Sequence, residues 1–140
     1  MTVAIRVYRD ADFAEVRSLW QQVFPDDPPW NRAEEAVPAK LAIQPDLFLV
    51  ASDGANVIGT IMAGYDGHRG WLYAVAVSES RRRAGVGSAL VREAEIRLAA
   101  LGCRKINLQI RATNIQVQAF YDRLGYGTED RISMGKRLSG

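Results

Sequence analysis

Residues 71–90 read WLYAVAVSESRRRAGVGSAL. From Trp71 to Val77 the chain is apolar throughout, which suits a central strand covered on both faces. From Gly85 the period changes: Val86, Leu90, Ala94, Leu98 and Leu101 recur at helical spacing, and Arg92, Glu93, Glu95 and Arg97 fall off that stripe. Three arginines and two glycines lie between. A buried strand that runs into an amphipathic helix commits the chain to a sheet with helices packed on it.

The connection itself has two readings. The first turn of a helix leaves backbone N–H groups without intrahelical partners, and the macrodipole favours an anion there. Gly85 and Gly87 let a bulky ligand approach the backbone, because no Cβ stands in the way. Arg81, Arg82 and Arg83 add positive charge at the helix end where cations are unfavourable. Such a local conflict is expected where an anion binds. A solvated turn with surface arginines has the same spacing. The Walker pattern is excluded, since the stretch lacks its lysine and its spacing, and the dinucleotide fingerprint fails at Leu90. R-x-x-G-x-G, from Arg82 to Gly87, is what remains.

The other elements follow from periodicity. Residues 3–8 alternate as a strand, and Asp10 can cap a helix carrying Phe13, Val16, Leu19, Trp20 and Val23. A second helix over 31–43 is interrupted by Pro38. Strands at 47–52 and 57–66 flank a DGAN hairpin turn, and GHRG (67–70) makes a second tight connection before the strand at 71–77. KINLQIR (105–111) alternates again. Asn114 can cap a last helix with Val117, Phe120, Tyr121 and Leu124, and residues 131–138 read as a final strand. The order β-α-α-β-β-β-α-β-α-β predicts one mixed α/β domain over 1–140. Its sheet is mostly antiparallel with one βαβ crossover, and helices cover both faces.

Composition excludes several classes. The net charge of +2 is too small to argue for nucleic acid, and no nucleic-acid motif accompanies the short arginine cluster. Cys103 and His68 are the only cysteine and histidine, so neither a disulfide framework nor a Cys/His metal site is expected. No apolar run approaches the ~18 residues of a membrane span, and the N-terminus carries no long apolar signal segment. A cytoplasmic location is the expectation.

Two longer blocks carry a resemblance. VAVSESRRRAGVGSAL and NLQIRATNIQVQAFYDRLGY (107–126), the second ending in F-Y-x-x-x-G-Y, resemble consecutive strand, loop and helix blocks of the GNAT superfamily of acyl-CoA-dependent N-acetyltransferases. AGYDGHRG (63–70) and MGKRL (134–138) are similar to segments of small bacterial YpeA-type acetyltransferases. The resemblance implies a sheet that splays to admit the pantetheine arm of acetyl-CoA, the co-substrate, with an amine as acceptor and direct attack in a ternary complex. It implies that backbone groups of Val75, Ala76 and Val77 bind the pantetheine arm and acetyl carbonyl. Arg82, Arg83, Ala84, Gly85, Val86, Gly87 and Ser88 would hold the pyrophosphate. Asn114 aligns with the asparagine that contacts the pantetheine arm, and Tyr121 with the tyrosine that protonates the departing thiolate. Homodimers are common in the family. Relatives that acetylate protein N-termini carry a glutamate base where this chain has Gln109. The base is therefore open among Asp66, Glu34, Glu35, His68 and a water route, and a CoA-binding regulatory module without catalysis is the alternative reading. Asp26, Asp27 and Trp30 lie in the segment that shapes the acceptor site in relatives.

Overall fold

A computed structural model describes residues 2–139. They divide into two compact units, one through Gln109 and one from Ile110. The first unit holds five strands: β1 (Ala4–Val7), β2 (Phe48–Ser52), β3 (Val57–Tyr65), β4 (Gly70–Val77) and β5 (Ile106–Leu108). They form one sheet in the order β1-β2-β3-β4-β5. The first three pairings are antiparallel, and β4–β5 is parallel. Helices α1 (Phe13–Val23) and α2 (Ala33–Leu41) join β1 to β2, and α3 (Val86–Ala100) makes the crossover from β4 to β5. The mixed fold with a single βαβ unit is as the period changes predict.

Alternation along the strands explains the two layers. Phe48, Val50, Met62 and Ala76 share one face and form a core with Val16, Leu19 and Trp20 of α1 and Ala33 and Val37 of α2. The opposite face meets α3, whose Val86, Leu90, Val91, Ala94 and Leu98 are buried. Gly59 allows the start of α3 to lie close: a Cβ there would stand 3.0 Å from Leu90 Cδ1 and 3.2 Å from Val86 Cγ1. Leu101, expected on the buried stripe, follows the last helical turn and is exposed.

Three further expectations are corrected by geometry. Asp12, rather than Asp10, organises the start of α1. Its Oδ2 accepts the Arg9 amide at 2.8 Å, and its carboxylate takes a two-pronged contact from Arg6 at 2.8 and 2.9 Å. The α2 helix runs through Pro38 instead of breaking there. Residues 131–138 form no strand among the described residues, and Ile132, Met134 and Leu138 are almost fully exposed. Their alternating pattern has the right period, but a strand exists only through a neighbouring strand's ladder, and the ladders of the described residues run between β1 and β5.

The second unit is built on α4 (Ile115–Arg123). Asn114 caps it as expected, its Oδ1 accepting the Val117 amide at 3.2 Å.

Candidate active site

The first unit presents a strand edge next to a helix start. The β4–β5 ladder covers Gly70–Leu72 against Ile106–Leu108, so past Leu72 the β5 side of β4 has no ladder partner among the described residues. The edge is further shaped by a bulge. Thr60 pairs with Ala76 but Met62 pairs with Tyr73, so β4 carries one extra residue between them, and Ala74 takes φ +51°.

A buried polar chain holds that bulge. Trp20 Nε1 donates to Thr60 Oγ1 at 2.9 Å, and Thr60 Oγ1 donates to the Ala74 carbonyl at 2.9 Å. Thr60 is fully buried. The only hint in the sequence is a lone hydroxyl in the apolar run VIGTIMAG, which periodicity assigns to core. Sequence reasoning missed its partner and its purpose.

The loop after β4 carries the arginines. Arg81 pairs with Asp53 of the β2–β3 hairpin, so it anchors the loop to the sheet. Arg82 and Arg83 are exposed, and Arg82 Nε donates to the Val77 carbonyl at 3.4 Å. Arg83 (φ +64°) and Gly85 (φ +81°) both adopt left-handed backbone. At Gly85 only a residue without Cβ does so at no cost. The N-cap residue is Gly85, which has no side chain to cap the first turn of α3, and the first amides of a helix lack intrahelical partners. Val75–Val77 and Arg82–Ser88 are thus brought together as one continuous strand, loop and helix start.

In the second unit Asn114 and Tyr121 lie on one helix, seven residues apart, which is ~10 Å of rise. Tyr121 is the buried member of the aromatic pair; Phe120, expected to be core, is only half-buried. The Tyr121 ring meets Phe120 and Tyr126 edge-on, at centroid distances of 4.9 and 5.6 Å. Burial pushes its hydroxyl up to about 12, so it stays protonated at neutral pH. That hydroxyl has no hydrogen-bond partner among the described residues.

The candidate bases separate clearly. Asp66 Oδ1 accepts the His68 and Arg69 amides, both at 2.7 Å, and Oδ2 faces Trp71 Nε1 at 3.4 Å. Those backbone hydrogen bonds hold its pKa below the ordinary carboxylate value, which makes it a poor proton acceptor. Asp66 is built into the turn. His68 is exposed in the same turn. Glu34 is paired with Arg17 at 2.7 Å. Glu34, Glu35 and Asp27 line a cleft of about 530 Å³ beside α1, together with Trp20 and Arg17.

Comparison with known proteins settles the family. Residues 13–126 match the Acetyltransferase (GNAT) family. The chain belongs to the GNAT acetyltransferase family. An acetyltransferase of Pectobacterium atrosepticum is 43% identical over 96% of this chain and 94% of its own length. One from Sodalis glossinidius is 44% identical with the same coverage. Among solved structures, a putative acetyltransferase from Agrobacterium tumefaciens superposes with a TM-score of 0.78 at 24% identity, covering 96% of this chain and 99% of that one. An aminoglycoside N-acetyltransferase solved in complex with CoA superposes with a TM-score of 0.79 at 20% identity, covering 99% of this chain and 96% of that one. These structural likenesses establish the GNAT fold. This GNAT protein is an acyltransferase that uses acetyl-CoA as co-substrate and moves its acetyl group to an amine. No helix of the described residues is long and apolar enough to cross a membrane.

Proposed function

We propose that residues 1–140 act as one acetyl-CoA:amine N-acetyltransferase domain, working in the cytoplasm on a free amine by direct attack. The observation that carries this reading is that β4, which beyond Leu72 has no β5 ladder among the described residues, leads through the Ser78–Gly85 loop into the first turn of α3. The pyrophosphate is assigned to the backbone of Arg83–Ser88, where N–H groups and the helix dipole favour an anion. Arg82 and Arg83 add a screened attraction. The pantetheine arm and acetyl carbonyl are assigned to main-chain groups of Val75, Ala76 and Val77, beyond the bulge. The pantetheine arm is further assigned to the side-chain amide of Asn114, whose oxygen caps α4.

The neutral amine attacks the thioester carbon, forming the C–N bond and a tetrahedral oxyanion. Strand N–H groups stabilise that oxyanion. The C–S bond then breaks, and Tyr121 donates its proton to the departing CoA sulfur. The proton lost by the amine leaves through water, since Gln109 has no carboxylate and Asp66 is held as a weak base.

The test is a screen of small amines and peptides with detection of free CoA thiol, alongside calorimetric CoA binding. Expected is CoA binding with amine-dependent thiol release. Binding with no release above hydrolysis for any amine class would reduce the protein to a CoA-binding module.

A further inference from the structure

The strand β3 outruns its neighbour β2: their ladder ends at Phe48–Met62, leaving Ala63, Gly64 and Tyr65 without a strand on that side. Two side chains four residues apart cover the overhang. The Gln44 carboxamide accepts the Tyr65 amide at 2.9 Å and donates to the Tyr65 carbonyl at 3.0 Å. Lys40, in the last turn of α2, donates to the Ala63 carbonyl. Capping an exposed sheet edge explains both contacts. It does not explain the charge. A neutral amide serves at Gln44, whereas Lys40 is 95% buried (5% exposed) and no carboxylate of the described residues lies within 4 Å of its ammonium. Burial lowers its pKa, and Asp46 opposes this only at longer range. A buried cation with no counter-ion is costly unless an anion joins it.

The ammonium lies just under the surface. The half-exposed Tyr73 ring covers it, with the nitrogen 5.7 Å from the ring centroid. Gly64, part-exposed, leaves the spot without a covering side chain. A Cβ there would stand 3.7 Å from Gln44 Oε1, 3.8 Å from the Tyr73 hydroxyl and 3.9 Å from Lys40 Nζ. Two donors, Lys40 Nζ and the Tyr73 hydroxyl, therefore converge on the space above Gly64, beside a Gln44 oxygen that the Tyr65 amide already engages. Tyr73 is also the residue immediately before the β4 bulge at Ala74, next to the strand edge assigned to the acetyl group.

We propose that Lys40 and Tyr73 form an oxyanion subsite for the acceptor, and that the acceptor is a small amino acid, an amine carrying its own carboxylate. The carboxylate supplies the missing counter-charge at Lys40, and this fixes the amine beside the bulge. The inference rests on the acetyl-transfer reading for the position of the acetyl group, but its binding element stands alone.

The test uses N-acetylated glycine, β-alanine and γ-aminobutyrate, each paired with its neutral carboxamide. Calorimetry is run with CoA present on wild type, Lys40→Met and Lys40→Arg. Wild type is expected to bind at least one acid more tightly than its amide by roughly ten-fold or more. Lys40→Met should abolish that preference and Lys40→Arg should keep part of it, with CoA affinity unchanged in all three. Equal binding of acid and amide by wild type overturns the subsite. So does failure of wild type to bind any acid at tens of millimolar (~10⁻² M, the weak end of the affinity scale), or a preference that survives in Lys40→Met. The wild-type comparison decides the matter even if Lys40→Met fails to fold. Loss of CoA binding in wild type would instead strike at the acetyl-transfer reading.

Discussion

Thr60→Val isolates the device that holds the bulge. The substitution keeps shape and replaces one hydroxyl by a methyl. It removes two hydrogen bonds, Trp20 Nε1 to Thr60 Oγ1 and Thr60 Oγ1 to the Ala74 carbonyl, each 2.9 Å long. A neutral hydrogen bond contributes about 1 kcal/mol net, and a buried donor left without a partner costs about 1–3 kcal/mol. Trp20 is 4% exposed, so water does not reach its indole N–H without rearrangement. The new buried methyl returns about 0.8 kcal/mol. With about 1 kcal/mol for the bond to Ala74 and about 1–3 kcal/mol for the stranded indole N–H, the net expectation is a loss of about 1–3 kcal/mol, or roughly 4–10 °C in Tm for a chain of this length. The bulge should also loosen, so that KM for acetyl-CoA rises roughly five-fold, about 1 kcal/mol of binding. Thr60→Ser keeps the hydroxyl and should lose only the methyl contribution, with KM unchanged. Trp20→Phe combined with Thr60→Val removes donor and acceptor together and should cost less than the sum of the two. The assay is denaturant unfolding of all four variants with steady-state kinetics. A Thr60→Val protein within about 0.5 kcal/mol of wild type, with wild-type KM, would refute the tether, because changes that small are typical of surface substitutions.

Gly85→Asp should fold at a modest cost, since nothing lies within 4 Å of the added Cβ and aspartate tolerates left-handed backbone, yet lose CoA binding through its charge against the pyrophosphate. Gly85→Asn, which tolerates left-handed backbone, should retain most of it, and calorimetry on the pair checks this. Tyr121→Phe should lower kcat by roughly 10²-fold with little change in acetyl-CoA affinity. Because the hydroxyl has no partner among the described residues, stability should not fall, so wild-type kcat under chemistry-limited conditions would leave Tyr121 as packing. The Arg6 hydrogen bonds, aided by the Arg9 amide, hold Asp12 below its ordinary 3.8, so the folded state keeps this carboxylate charged to lower pH than the unfolded chain does. The stability it contributes is full above that ordinary value and is lost as pH falls through the lower folded one. Urea midpoints between pH 7 and 2 should show that acid loss in wild type and a smaller one in Asp12→Asn.

The chain's periodicities alone determined the types of the elements from β1 to α4, the crossover, and the place of the loop ahead of α3. A change of period and a glycine between charged residues are local facts, and α3 and α4 are encoded locally, in a buried stripe and in the Asn114 cap. The sequence could not show which pairings form. The alternation at 131–138 has strand period and no strand, because hydrogen bonding depends on a neighbour that local pattern does not specify. For the same reason the bulge at Ala74, the tether from Trp20 through Thr60, and the placing of Lys40 under Tyr73 were invisible. Each joins residues fourteen to forty positions apart, and only the packed sheet brings them together. Asp66 shows the converse: its residue type suits a base, but the turn it closes commits its oxygens to backbone N–H groups. A carboxylate's basicity is set by what surrounds it, and that is decided by the tertiary structure.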